Sequence, residues 1–149
     1  MATHGLPAWP WAGTPVDDLP AAERLLLDGA RLWAAAARQG HAPLPALRLP
    51  FAAEGATAAV APLDALLHAL DAALPIGCPL CPRTLPAEAL LLLGCGLVQR
   101  GAAREAQAVL LRCLPAAPVA ALLAGAVPLG IALAQAGLWL RNPLRCARA

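Results

Sequence analysis

The sequence predicts an all-α fold, a single small bundle of about five helices, and three observations lead there. Hydrophobic residues make up 60% of the 149 residues, above the usual ~45–50%. Most of that excess is alanine and leucine, both good helix formers. Alternating runs of valine, isoleucine, threonine and tyrosine are missing, so strands lack support. Apolar residues instead recur at i, i+3, i+4 and i+7, and proline or glycine punctuates the ends of each segment. The length suits one domain with its own core. Its expected parts are an extended arm over 1–18, a helical domain over 19–140 and a basic tail over 141–149.

The arm reads Leu6-Pro-Ala-Trp-Pro-Trp-Ala-Gly-Thr-Pro, a polyproline-like composition. Trp9 and Trp11 are too large to leave exposed without cause. They either pack across the domain surface or anchor a partner or a neighbouring subunit. The first helix is expected from Leu19 to Gln39, with Asp17 or Asp18 as cap, Pro20 in the first turn and Gly40 as stop. Leu26, Ala30, Trp33 and Ala37 share one face. Arg24, Asp28, Arg31 and Arg38 share the other, where Arg24–Asp28 is an i, i+4 pair. Residues 40–56 read as a proline-punctuated connection that tucks Leu47 and Phe51 into the core. A second helix follows from Thr57 to Leu74 with a stripe of Leu63, Leu66, Leu67, Leu70 and Leu74, stopped by Pro75 and Gly77. The next stretch, 75–83, holds too much proline and glycine to be helical.

Residues Thr84 to Pro118 read as two short helices joined at a glycine. Thr84 is placed to cap the first, and Pro86 sits where a missing N–H does no harm. Leu90, Leu93, Gly94 and Leu97 make one apolar stripe, and Gly101 suits a left-handed stop. A second helix starts at Ala102, with Ala106, Leu110 and Cys113 facing back and Pro115 and Pro118 closing it. In order, Leu90, Leu93-Gly94, Leu97, Gly101, Ala106, Leu110, Cys113 and Pro118 fill the pattern of a tetratricopeptide repeat. The hairpin, about residues 85–118, resembles one such unit, with Leu90 where that family has tryptophan. The resemblance implies a helix-turn-helix that binds other proteins. From Pro115 to Leu140 no residue carries a charge.

The chemical inventory is thin. The chain has no serine, lysine or tyrosine, and all 11 basic residues are arginine. That bias reads as GC-rich coding of a bacterial kind, and it removes serine and lysine nucleophiles. Formal charge is +2, and Arg141, Arg145 and Arg148 lie in the tail. The body is therefore balanced and presents no broad cationic face for nucleic acid. The start lacks a basic region followed by an apolar run, so no secretory signal is expected and the cytoplasm is the default location. Five cysteines in such a chain read as thiols or metal ligands.

Cys78-Pro-Leu-Cys81 is the sharpest motif. It resembles a zinc or rubredoxin-type knuckle, in which two thiolates in a tight turn grip one edge of a metal ion. A closed site needs two more ligands, for which Cys95, Cys113 and His68 are the candidates. Those cysteines serve equally well as small apolar packers, and Cys78 and Cys81 equally well as incidental turn residues. A thioredoxin-type site is less well matched, because here a helix precedes the motif and Pro82 follows it. Asp64, His68 and Asp71 share a helix face, where they read as its wet side rather than as an acid–base or metal site.

These observations point to a small non-catalytic adaptor or assembly subunit that contacts a protein partner or its own copies. Trp9, Trp11, Arg100, Arg104 and Trp139 are its candidate interaction residues. One alternative is a protein anchored at the inner membrane by 116–140, since about 20 apolar residues span a bilayer. Pro118, Pro128, Gly125, Gly130 and Gly137 interrupt that segment, which favours burial in protein. The other alternative is a zinc-dependent regulator using Cys78 and Cys81. No reaction type or cofactor beyond zinc is indicated.

Overall fold

A computed structural model describes residues 11–141. Its α-helices are α1 (Ala21–Arg38), α2 (Pro45–Ala53), α3 (Val60–Leu70), α4 (Pro86–Gln99), α5 (Ala103–Leu110) and α6 (Ala116–Gln135). Short 3-10 turns cover Val16–Asp18 and Thr57–Ala59. The fold is all-α, and among the described residues the sheet-like pairing is one isolated antiparallel bridge between Pro15 and Arg83. Residues 1–10 of the expected arm and 142–149 of the tail, including Trp9, Arg145 and Arg148, lie outside the described residues. Residues 13–16 are pinned by backbone. Gly13 N–H donates to Thr84 O, Thr84 N–H to Thr14 O and Val16 N–H to Pro82 O.

The central element is α6, which lies along α3 and α4 and also meets α5, while α1 rests on α2 and touches α3 and α4. Glycines set the crossings. A Cβ at Gly125 would lie 2.6 Å from Leu66 Cδ1, and one at Gly130 3.3 Å from Gln99 Cα. A Cβ at Gly94 would lie 2.8 Å from Leu122 Cδ2. Gly125 and Gly130 therefore mark close helix contacts, not the interruptions expected. Pro128 lies within the continuous helix. Its missing N–H weakens an isolated helix by about 3 kcal/mol. Burial of Val119, Leu122, Ala126, Leu129 and Leu133 offsets that. Pro118 sits in the first turn of α6, where its N–H is not needed, so it opens this helix instead of closing the one before.

Several boundaries differ from expectation. The prolines of 40–56 hide α2: Pro45 stands at the first helical position, and Leu47 and Phe51 are fully buried on that helix. A Cβ at Gly29 would lie 2.7 Å from the Phe51 ring, so α1 approaches α2 at glycine. The second expected helix is shorter, beginning as a 3-10 turn and ending at Asp71, whose φ is +50°. The N-cap of α1 is Pro20, and Asp17 pairs with Arg24 at 2.8 Å instead of capping. Arg24 also meets Asp28 at 3.2 Å, the expected i, i+4 pair.

The α4–α5 hairpin turns at Gly101 with φ +79°, and Ala102 N–H returns to Leu97 O. Leu90, Leu93, Gly94 and Leu97 are buried as expected, together with Leu91, Leu92 and Cys95. Thr84 does not cap α4. Its hydroxyl is buried without a partner, and Glu88 instead accepts the Leu85 N–H at 2.8 Å. Cys113 does not face back either. Because α5 stops at Leu110, Cys113 falls on the following turn and is exposed.

Candidate functional site

Arg31, expected on the charged face of its helix, pairs with Glu88 in a fully buried polar cluster. Arg31 of α1 and Glu88 of α4 have side chains 1% and 0% exposed. The guanidinium binds the carboxylate through both oxygens, Nε to Oε2 at 2.7 Å and Nη2 to Oε1 at 2.8 Å. Its remaining donors reach Cys81 O at 2.7 Å and Arg83 O at 2.9 Å. Glu88 also accepts Gly77 N–H at 3.1 Å. The hydrogen bond to Glu88 raises the Arg31 pKa against desolvation, so burial does not discharge the guanidinium. One ion pair thus holds the loop between α3 and α4 at Gly77, Cys81 and Arg83. A signal was available: Leu27, Arg31 and Ala34 fall at i, i+4 and i+7, which puts the arginine inside an apolar stripe.

On that loop, Cys78 is exposed and Cys81 half-buried. Cys81 N–H donates to Cys78 O at 3.1 Å, closing a tight turn. The backbone N–H of Leu80 holds the Cys78 thiol below its ordinary range, helped by hydrogen bonds from Cys81 and the Arg31 charge. Burial pushes Cys95 up to about 12 inside α4. The other proposed ligands do not join the pair. Cys95 is enclosed in the core and Cys113 lies on the turn after α5, while His68 Nε2 sits 3.4 Å from Asp64 Oδ1 on α3. Among the described residues no group of three or more His, Cys, Asp or Glu side chains is placed to hold a metal ion.

Asp64 is not merely wet. It accepts the Trp33 indole N–H at 2.8 Å, and the Trp33 and His68 rings meet edge to face at 5.0 Å. Beside them an open cleft of about 500 Å³ is lined by Trp33, Arg38, His68, Asp71 and Ile76.

A third region gathers at the end of α4. Gln99 donates to Gly130 O at 3.1 Å and to Leu138 O at 3.0 Å, and accepts Leu140 N–H at 2.7 Å. Arg100 Nε donates to Leu140 O at 2.9 Å, and its guanidinium lies 5.1 Å from the Trp139 ring centre. Two expected interaction residues are thereby joined. Arg104 is exposed on α5, and Trp11 is half-buried with its indole nitrogen unpartnered. Next to Trp139, the outer face of α6 exposes Ala117, Ala120, Ala124, Val127 and Ile131. Val127, Ile131 and Trp139 are 51%, 56% and 51% exposed. With Val98 and Gln99 they line a groove of about 400 Å³.

A scan against protein-family models and searches of curated proteins and solved structures return no significant match.

Proposed function

We propose that the protein is a small assembly subunit that works by contact, pairing the outer face of α6 with the same face of a second copy. The observation that carries this reading is the uncharged, solvent-facing stripe of Ala117, Ala120, Ala124, Val127 and Ile131. A face without charge meets its own copy around a two-fold axis with no like charges opposed. Its alanines let two backbones approach closely, and Val127, Ile131 and Trp139 supply the apolar area that association would remove from water. Arg100, lying against Trp139, gives the patch a polar rim. The tetratricopeptide-like hairpin, α4 and α5, adds a second surface of a kind that binds proteins.

Light scattering on detergent-free protein tests the reading. The expected mass is that of a dimer, and Ile131→Arg should return it to a monomer with an unchanged circular-dichroism spectrum. A wild-type monomer would reject it.

One observation favours a second reading. Among the described residues α6 is the helix long and apolar enough to cross a bilayer, although seven of its residues are buried against the rest of the fold. Protein that sediments with lipid vesicles, and loses that behaviour in Ile131→Arg, would support a membrane surface as the partner of this face.

A further inference from the structure

We propose that Cys78 and Cys81 form a redox-active dithiol that exchanges with disulfides presented at the exposed tip of their loop. The region is separate from the outer face of α6, so the proposal stands independently of the assembly reading.

Three features of the loop support it. The two cysteines close one tight turn, with Cys81 N–H donating to Cys78 O at 3.1 Å, so their side chains spring from neighbouring points of one fixed backbone. They differ in access: Cys78 is exposed and Cys81 half-buried with its sulfur turned toward Gly77, where a Cβ would lie 3.6 Å away. The backbone beneath them is fixed, because Arg31 holds Cys81 O and Arg83 O while Glu88 holds Gly77 N–H. A turn held from below can change the sulfur chemistry on top without losing its support. Leu80 projects from the tip at 90% exposure and offers an apolar contact to whatever approaches. Unlike sites that open a helix, this one draws its rigidity from Pro79, Pro82 and the buried ion pair.

The chemistry balances with a disulfide as the oxidant. The Cys78 thiolate attacks one sulfur of the incoming disulfide, forming a mixed disulfide and expelling one thiolate, which takes the proton that Cys78 gave up. The Cys81 thiolate then attacks Cys78 Sγ. A Cys78–Cys81 bond forms, the mixed bond breaks and the second thiol leaves with the Cys81 proton. One disulfide is reduced to two thiols while the dithiol loses two electrons and two protons. A thiol reductant runs the steps backward.

The test uses the full-length chain with Cys113→Ala and Cys146→Ala, leaving the enclosed Cys95 in place. Glutathione disulfide and insulin serve as the small-molecule and protein oxidants. The expected result is a Cys78–Cys81 disulfide by peptide mapping, with the faster oxidant naming the source. Cys81→Ala should stop at a mixed disulfide on Cys78, and Cys78→Ala should slow exchange about tenfold or more. Circular dichroism confirms that each variant is folded, Cys78 being exposed and Cys81 half-buried on the loop. Exchange that is undiminished in Cys78→Ala overturns the proposal. So does failure to form the internal disulfide with either oxidant. Bound zinc that shields both thiols in the purified protein overturns it as well, and assigns the loop to metal.

Discussion

The two longest helices, α1 and α6, dispose of their residues in opposite ways. The first is rich in charge, yet it buries Arg31 completely and encloses Glu23, whose Oε1 accepts Arg141 N–H at 2.6 Å. The second has no charge at all, yet it leaves Val127 and Ile131 more than half exposed. Position relative to the neighbours decides this, not composition. Arg31 lies where α1 meets α4 and the loop above, and it finds a carboxylate and two carbonyls there. Val127 and Ile131 lie on the outer face of α6, where among the described residues they stay more than half exposed. The charged helix hides its ionic groups, and the apolar one shows hydrophobic surface to water.

The largest effect should come from breaking the charge inside α1. Arg31→Met leaves the buried Glu88 carboxyl without its partner and should destabilise the fold by about 3–5 kcal/mol. Adding Glu88→Leu should recover part of that loss in a thermal or urea melt, since both charges are then gone. On the inner side of α6, Gly125→Val presses on Leu66, including its Cα, and should cost about 1–3 kcal/mol. The same change at the exposed Ala124 should be nearly neutral.

Helix α4 lies against both, and its Cys95 sharpens the comparison through pH. The folded thiol keeps its proton up to about 12, while an unfolded one loses it from the reference value of 9.0. Above that reference the unfolded chain binds fewer protons, so stability should fall as pH rises from 9 toward 12, by about 1.4 kcal/mol per unit. With no lysine or tyrosine in the sequence, thiols dominate that window. Cys95→Ala should flatten the slope in alkaline denaturation curves. The smallest effect on folding belongs to the outer face of α6. Ile131→Arg should shift stability by less than about 0.5 kcal/mol while removing assembly. A large loss of stability there would mean that the face is covered within the chain.

Much of the fold was legible because leucine spacing reports helix faces directly. The stripes of α3 and α4 and the turns at Gly40 and Gly101 follow from it. What escaped had a physical reason in each case. Prolines masked α2: Pro45 is tolerated at the helix start, and Pro50 lies inside the helix that packs Leu47 and Phe51 into the core. Pro128 did not break α6, because packing on α3 and α4 holds a helix that propensity alone would not. Cys113 followed the helical spacing on paper, but α5 ended before reaching it. The candidate sites were less legible. Arg31 falls on a charged face when charge is read without its apolar neighbours Leu27 and Ala34, and its pairing with Glu88 depends on contact across the fold. Arg100 and Trp139 were singled out separately, and only the return of the chain past Gly137, with φ +76°, brings them together. The thiol pair was visible as a motif, but the ion pair beneath it depends on contact across the fold.

That ion pair joins residues 57 positions apart. The cysteine turn therefore gains its footing only after α1 and α4 have met. A chain still emerging from the ribosome, or one partly melted, carries the same two sulfurs on a slack tether. Their reactivity becomes a gauge of whether the bundle has closed, and comparing thiol-labelling rates before and after refolding would read that gauge.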